Sequence, residues 1–286
     1  MISPAQRLRY LAGALRCLPP EMRGKARLAR HILGGGIEAQ DAVINGRGGL
    51  LYATPSLREP IAFSLLINGV YEFRALEFVI ERLRTGSIFV DVGANIGSFT
   101  IPAAQKVGIN GCVIAVEPSP RIFPYLQRNV ALNKVPNVRL VRRAASDRDG
   151  ECASFYEAPV EKFGMGSLAP RFQVNPVPIL CQTLDTILEE QRVKQVTVIK
   201  IDVEGFEAAV LQGAEKVLTS DSTPVVVFEF CDWAESSVPG GHTGDAQRVL
   251  KSLGYDIWRL RDIISGKPPL TAVVTTGFDM LVAMRL

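Results

Sequence analysis

Histidine occurs only twice in this 286-residue chain and cysteine five times, at Cys17, Cys112, Cys152, Cys181 and Cys231. The cysteines are scattered without a C-x-x-C pair, so neither the ligand spacing of a zinc site nor a disulfide framework is present, and a reducing, cytoplasmic setting is expected. No apolar run approaches the roughly 18 residues needed to cross a bilayer. The N-terminus lacks an apolar core followed by a small-residue cleavage site, so a soluble protein is expected. Internal repeats and low-complexity tracts are missing too. Against these gaps stands a hydrophobic content of 47%, enough over this length to bury the core of one α/β domain plus an extension.

Charge is unevenly placed. Residues 1 to 31 carry seven Lys and Arg against one acid, leaving 25 against 28 in the remainder. Within that basic segment Leu8, Leu11, Leu15 and Leu18 recur at helical spacing, with Arg7, Arg9 and Arg16 largely off the stripe. An amphipathic helix packed on the domain is the preferred reading, with a peripheral membrane or partner contact as the alternative. Nucleic acid is not expected as a partner, because no aromatic residues interleave with the arginines as a stacking platform requires.

The most informative segment is Ile88 to Thr100, IFVDVGANIGSFT, an apolar strand that runs into a carboxylate and a glycine-punctuated turn opening a helix. Such turns bind nucleoside cofactors in open α/β sheets. Gly93 and Gly97 permit a tight turn, and Asn95 between them tolerates left-handed backbone angles. The spacing departs from G-x-G-x-x-G, and Asp91 would repel a diphosphate while pairing with an ammonium. S-adenosylmethionine carries that ammonium; NAD does not. About 26 residues on, the second strand ends in Glu117-Pro118, close to the roughly 20 expected for a ribose-binding acid. The third strand runs into Ser146 and Asp147, placed to offer polar contacts to a base or to cap a turn.

Two more strand ends carry acids: Asp202 and Glu204 after Val198 to Ile201, and Glu229 in Phe228-Glu-Phe-Cys-Asp-Trp233. Lys200, flanked by apolar neighbours, must pair with a carboxylate if buried, with Asp91, Asp202 or Glu229 as candidates. Glu207 reads as a favourable first-turn acid. Four acids at strand ends could hold Mg²⁺, but no two sit as metal carboxylates on one turn, and no metal is expected.

Along the chain, Pro19-Pro20 and Gly34 to Gly36 punctuate a helical extension ending near residue 36, followed by a hairpin over Val43 to Ala53. A helix over Glu72 to Arg84 leads into alternating strands and helices, which imply a parallel sheet. The loop Lys162 to Pro176, flanked by short strands, reads as an inserted hairpin or lid spanning about residues 150 to 181. Strands at Tyr255 to Leu260 and Met280 to Met284 are expected to pair antiparallel at the sheet edge. The division expected is a basic extension and hairpin over residues 1–55 and a main domain over 56–286.

Taken together, DVGANIG (Asp91 to Gly97), EPSP (Glu117 to Pro120) with Asn129 to Asn133, Ala145-Ser-Asp147, Leu184-Asp185 and KIDVEG (Lys200 to Gly205) with VLQGA (Val210 to Ala214) resemble the FkbM family of S-adenosylmethionine-dependent methyltransferases. The resemblance covers about residues 65 to 230. It implies a Rossmann-like, seven-stranded class I methyltransferase sheet, mostly parallel with an antiparallel edge strand. It also implies methyl transfer, usually to a hydroxyl of a sugar, glycan or natural product. Gly69-Val-Tyr71-Glu72 resembles the family segment that borders the cofactor. The expected cofactor contacts are therefore Glu72, Asp91, Gly93, Asn95, Gly97, Glu117, Pro118, Ser146 and Asp202. Asp202, Glu229 and His242 are the candidate bases, because an alcohol must lose its proton as the new bond forms. The rival readings are an NAD-dependent oxidoreductase on the same sheet and a non-catalytic binding module.

Overall fold

In the runs IFVDV, CVIAV, VIKI and VVVFEFC, apolar side chains occupy both faces, the pattern of strands covered by helices on each side. The computed structural model, which describes residues 4–38 and 40–285, places all four runs in one sheet. The side chains of Pro4, Ala5 and Arg9 lie outside the description, and so does the placement of Arg9 relative to the leucine stripe. The strands are β1 (Gln40–Asn45), β2 (Leu51–Ser56), β3 (Ile88–Val92), β4 (Cys112–Val116), β5 (Val138–Val141), β6 (Ala144–Ser146), β7 (Cys152–Phe155), β8 (Val177–Thr183), β9 (Val198–Ile201), β10 (Val225–Cys231), β11 (Asp256–Arg259) and β12 (Phe278–Met284).

The main sheet has seven strands in the order β11-β12-β10-β9-β3-β4-β5. β12 runs antiparallel to both neighbours and the other pairs are parallel. The last two strands pair antiparallel at the sheet edge as expected: β12 returns between β10 and β11 as the strand of opposite direction, and β11 forms the rim. From β3 the chain winds outward through β4 to β5, then crosses back to β9 and on to β10. The reversal lies between β3 and β9, and ligands bind at such switch points beyond the carboxyl ends of the strands.

Alternation along β3 sends Val90 and Val92 into one core with Leu184, Ile187, Val210, Leu211 and Phe228. Phe89 faces the opposite core, with Phe78, Val79, Val113 and Val227. A third cluster joins the N-terminal helices Pro4–Arg16 and Lys25–Leu33 to the helix Pro60–Asn68 through Leu15, Ala29, Leu33, Leu65 and Leu66. Leu8, Leu11 and Leu18 pack against it, so the leucine stripe faces the protein. Arg16 joins it there, donating to the Leu65 and Leu66 carbonyls in the last turn of helix Pro60–Asn68, where the Leu65 carbonyl also accepts from the Gly69 amide.

Helix Pro60–Asn68 is absent from the sequence-based expectations because PIAFSLLIN is apolar nearly all round and shows no 3.6-residue contrast. After β9 the chain folds as two short helices, Glu207–Gln212 and Glu215–Leu218. The break falls at Gly213, where a Cβ would stand 2.0 Å from the Ser146 carbonyl oxygen. The inserted segment is a hairpin as expected, and β8 also pairs with β6 to make a three-stranded sheet.

Asn129 fastens the outer layer to the glycine turn. Fully buried in helix Phe123–Leu132, it accepts from the Ala53 amide (2.6 Å) and donates to the Ala53 and Ile96 carbonyls (2.9 Å each). Asn129→Leu keeps the volume but strands three buried backbone groups. A loss of about 3 kcal/mol in urea unfolding is expected, and a change within 0.5 kcal/mol would contradict this role.

Candidate active site

The carboxyl ends of β3, β4, β9 and β10, with Ala144 and Ala145 of β6, line one cavity of about 260 Å³. Its floor is built by the turn after β3. Gly93 has a φ of 78°, and a Cβ there would lie 1.9 Å from the Asp202 carbonyl oxygen, so only glycine lets the β3 and β9 turns pass this closely. Asn95 adopts the left-handed φ of 51° expected of it, and its amide donates to Glu117 Oε2 at 2.9 Å. The Ser119 amide donates to Glu117 Oε1 at 2.8 Å. Two turns thus aim one carboxylate, and each oxygen keeps a free lone pair in a side chain that lines the cavity. Burial pushes the Glu117 carboxyl up to about 7 despite those two amides.

The opposite end of the cavity is organised by Lys200. It sits opposite Asp91 in the β3–β9 register, is almost fully buried, and its Nζ lies 3.0 Å from Asp202 Oδ2 and 4.0 Å from Asp91 Oδ1. Asp91 is itself fully buried and accepts from the Thr100 hydroxyl. Burial pushes its carboxyl up against the opposing pull of Lys200 and Thr100. Glu204, with a left-handed φ of 59°, is held at 2.7 Å by Arg171 from the inserted segment. Burial and the charge of Asp202 push it up to about 7. Glu229 makes no hydrogen bond or ion pair among the described residues, and burial, reinforced by Asp202 and Glu204, pushes its carboxyl well above the ordinary range.

Of the expected contacts, Gly93, Asn95, Glu117, Pro118, Asp202 and Glu229 line this cavity. Five do not. Asp91 lies beneath it, fully buried and turned to Thr100 and Lys200. Glu72 faces a neighbouring cleft, and its neighbour Tyr71 supplies the cavity wall. Gly97 packs on Leu126 and Ile101. Ser146 stops one residue beyond the wall formed by Ala144 and Ala145 and bonds to Asp147. The His242 side chain is 82% exposed in the loop before helix Asp245–Ser252, where its backbone amide bonds to Asp245, and it is not among the residues lining the cavity.

Sequence reasoning missed Glu59, which lines the cavity while its side chain caps helix Pro60–Asn68 by accepting from the Ala62 amide. An acid directly before a proline at a helix start was the available signal. Arg171 and Phe278 carry no local signal, because their roles arise only from chain crossings. No metal is expected from the sequence, yet in three dimensions carboxylate oxygens of Asp202, Glu204 and Glu229 come within 4.8 Å of one another, with Lys200 and Arg171 supplying counter-charge to two of the three.

A family model for the methyltransferase FkbM domain matches residues 91–257, more than half of the chain. The protein belongs to this family of S-adenosylmethionine-dependent methyltransferases, and its sheet is the class I methyltransferase sheet. Methyltransferase 1 of Beauveria bassiana is 26% identical over 231 residues, covering 72% of this chain and 86% of that protein. Methyltransferase sdnD of Sordaria araneosa is 28% identical over 211 residues, 64% of this chain and 78% of that one. The hexuronic acid methyltransferase AglP of Haloferax volcanii is 26% identical over 151 residues, 53% of this chain and 59% of that protein.

The residues fit the cofactor. Glu117 would offer its free lone pairs to two ribose hydroxyls, and Ala144, Ala145 and Phe155 would give a base its apolar wall. Five acids, Glu59, Glu117, Asp202, Glu204 and Glu229, line the cavity against Lys200, the only basic residue lining it among the described residues, a surplus that suits a molecule bearing a sulfonium and an ammonium.

That surplus has a cost in the free protein. Glu59, Glu117, Glu204 and Glu207 hold their protons up to about 7 when folded, against an ordinary 4.5. Between those values the native state binds more protons than the unfolded chain, so stability is greatest at the acid end and is lost as pH rises through about 7. The urea midpoint of the cofactor-free protein is expected to be higher at about pH 5.5 than at pH 8; the opposite order would contradict the burial of these charges.

Proposed function

We propose that the protein methylates a hydroxyl oxygen of a small-molecule or glycan acceptor, with Glu229 as the general base. The observation that carries this reading is the state of Glu229: a carboxylate about nine-tenths buried, lining the cavity, with no hydrogen-bond partner among the described residues. Asp202, the alternative base, is already engaged by Lys200. The name of AglP, a hexuronic acid methyltransferase, supports a sugar-derived acceptor within the family.

When bound, S-adenosylmethionine would supply an electrophilic methyl carbon, the electron pair of the broken C–S bond staying on the sulfur of the departing S-adenosylhomocysteine. This chain's part is alignment and proton removal. Glu117 holds the ribose, and Asp202, fixed by Lys200, borders the reacting end. Glu229 takes the acceptor's hydroxyl proton as the oxygen closes on carbon. Holding two reactants in line replaces a bimolecular encounter and supplies much of the acceleration. The ionised form of Glu229 is required, and its neighbours disfavour that form, so turnover should rise as pH increases through and beyond neutrality.

Glu229→Gln should lower turnover by roughly 10²- to 10⁴-fold while calorimetric donor affinity stays nearly constant and the acid limb of the pH profile is lost. Unchanged turnover would remove Glu229 from the role. The product should be a base-stable methyl ether by mass spectrometry, whereas a base-labile ester or an N-methyl product would contradict hydroxyl transfer. With Lys200 and Arg171 supplying counter-charge, turnover should survive dialysis against EDTA; a loss restored by Mg²⁺ would assign the three acids to a metal.

A further inference from the structure

The outer part of the cavity differs from its acidic floor. Two large aromatic side chains, Trp233 at 50% exposure and Phe278 at 63%, line it while standing open to solvent. They are brought together by the sheet, since Phe278 is the register partner of Cys231 and Trp233 follows two residues later. The Trp233 ring is held from one side: the Arg171 guanidinium lies 4.7 Å from its centroid. Arg171 is itself nearly buried and fixed by Glu204 Oε2 and the Glu204 carbonyl, by the Ala234 carbonyl at 3.2 Å and by Ser237 Oγ at 3.3 Å. A fixed cation on one face and solvent contact elsewhere make the indole an ordered apolar platform beside the proposed base.

Charge narrows what can lie on it. Lys200 is committed to Asp202 and Asp91, and Arg171 to Glu204 and two carbonyls, so neither cation near the cavity is free to meet an anion. An acidic acceptor would have to leave water for a cavity whose described lining offers it no free cation, and burying a charge without a partner is strongly disfavoured. We propose that Trp233, steadied by Arg171, and Phe278 form the acceptor platform, and that the acceptor is an uncharged compound presenting the apolar face of a ring, not an acid. This rests on the reading of the cavity as a methyl-transfer site. It also sets the protein apart from its relative named for hexuronic acid.

The test separates the two ideas. A small-molecule extract is split by ion exchange into anionic, neutral and cationic pools, and each is incubated with the wild-type protein and methyl-labelled S-adenosylmethionine. Label is expected in the neutral pool, favoured about 100-fold or more over the anionic pool. Label chiefly in the anionic or cationic pool, or only on protein or nucleic acid, would overturn the neutral-acceptor proposal and leave methyl transfer standing; no label anywhere would overturn methyl transfer and this proposal with it. With the labelled compound as substrate, Trp233→Ala should raise KM at least about tenfold at similar kcat and unchanged donor affinity, and Trp233→Phe should recover most of the loss. Phe278→Ala should raise KM in the same direction. KM unchanged in both alanine variants would refute the platform.

Discussion

The ammonium of Lys200, buried between the carboxylates of Asp91 and Asp202, is the interaction on which the site depends. Burial penalises all three charges, and a buried ion pair holds only when geometry and further hydrogen bonds offset that cost. Here burial lowers the proton affinity of Lys200, but Asp202, Asp91 and Glu72 more than reverse it, so the lysine stays charged. Asp202 at 3.0 Å is the direct partner, and Asp91 at 4.0 Å, braced by Thr100, is the weaker one. Because Asp91 and Lys200 face each other in the sheet register, the pair belongs to the scaffold, and the other groups of the site are arranged around it.

One lysine cannot neutralise the acids gathered at this sheet edge. Arg171 reaches in from the inserted hairpin to answer Glu204, and Glu229 is left unanswered. The protein carries this imbalance at a cost to the stability of its free form, as functional sites often do. A cationic cofactor completes the charge balance, while the surplus turns away acids. Cofactor preference and acceptor selection therefore follow from a single distribution of charge.

Much of this was legible in the chain. The β-branched runs ending in Asp91, Glu117, Asp202 and Glu229 placed four acids at one sheet edge, and Asn95 and Gly93 named the turn between them. What the sequence did not reveal was direction. Asp91 is the last residue but one of β3, and strand alternation, which no residue pattern here discloses on a strand buried on both faces, sends it beneath the turn. Helix Pro60–Asn68 was hidden because it is apolar on every side. Arg171 and Phe278 reach the site only through the return of the inserted segment and of β12, contacts between residues far apart in sequence. His242 fits a base by chemistry alone, and its exposed loop keeps it from that role.

The most direct test is the proton balance of cofactor binding. Isothermal titration of S-adenosylmethionine at about pH 6.5, in buffers of different ionisation enthalpy, counts the protons exchanged. A cation entering a cavity of buried, partly protonated carboxyls lowers their pKa values, so the account predicts net proton release on binding, reduced in Glu117→Gln and Glu229→Gln. Binding with no proton exchange, or with net uptake, would contradict it.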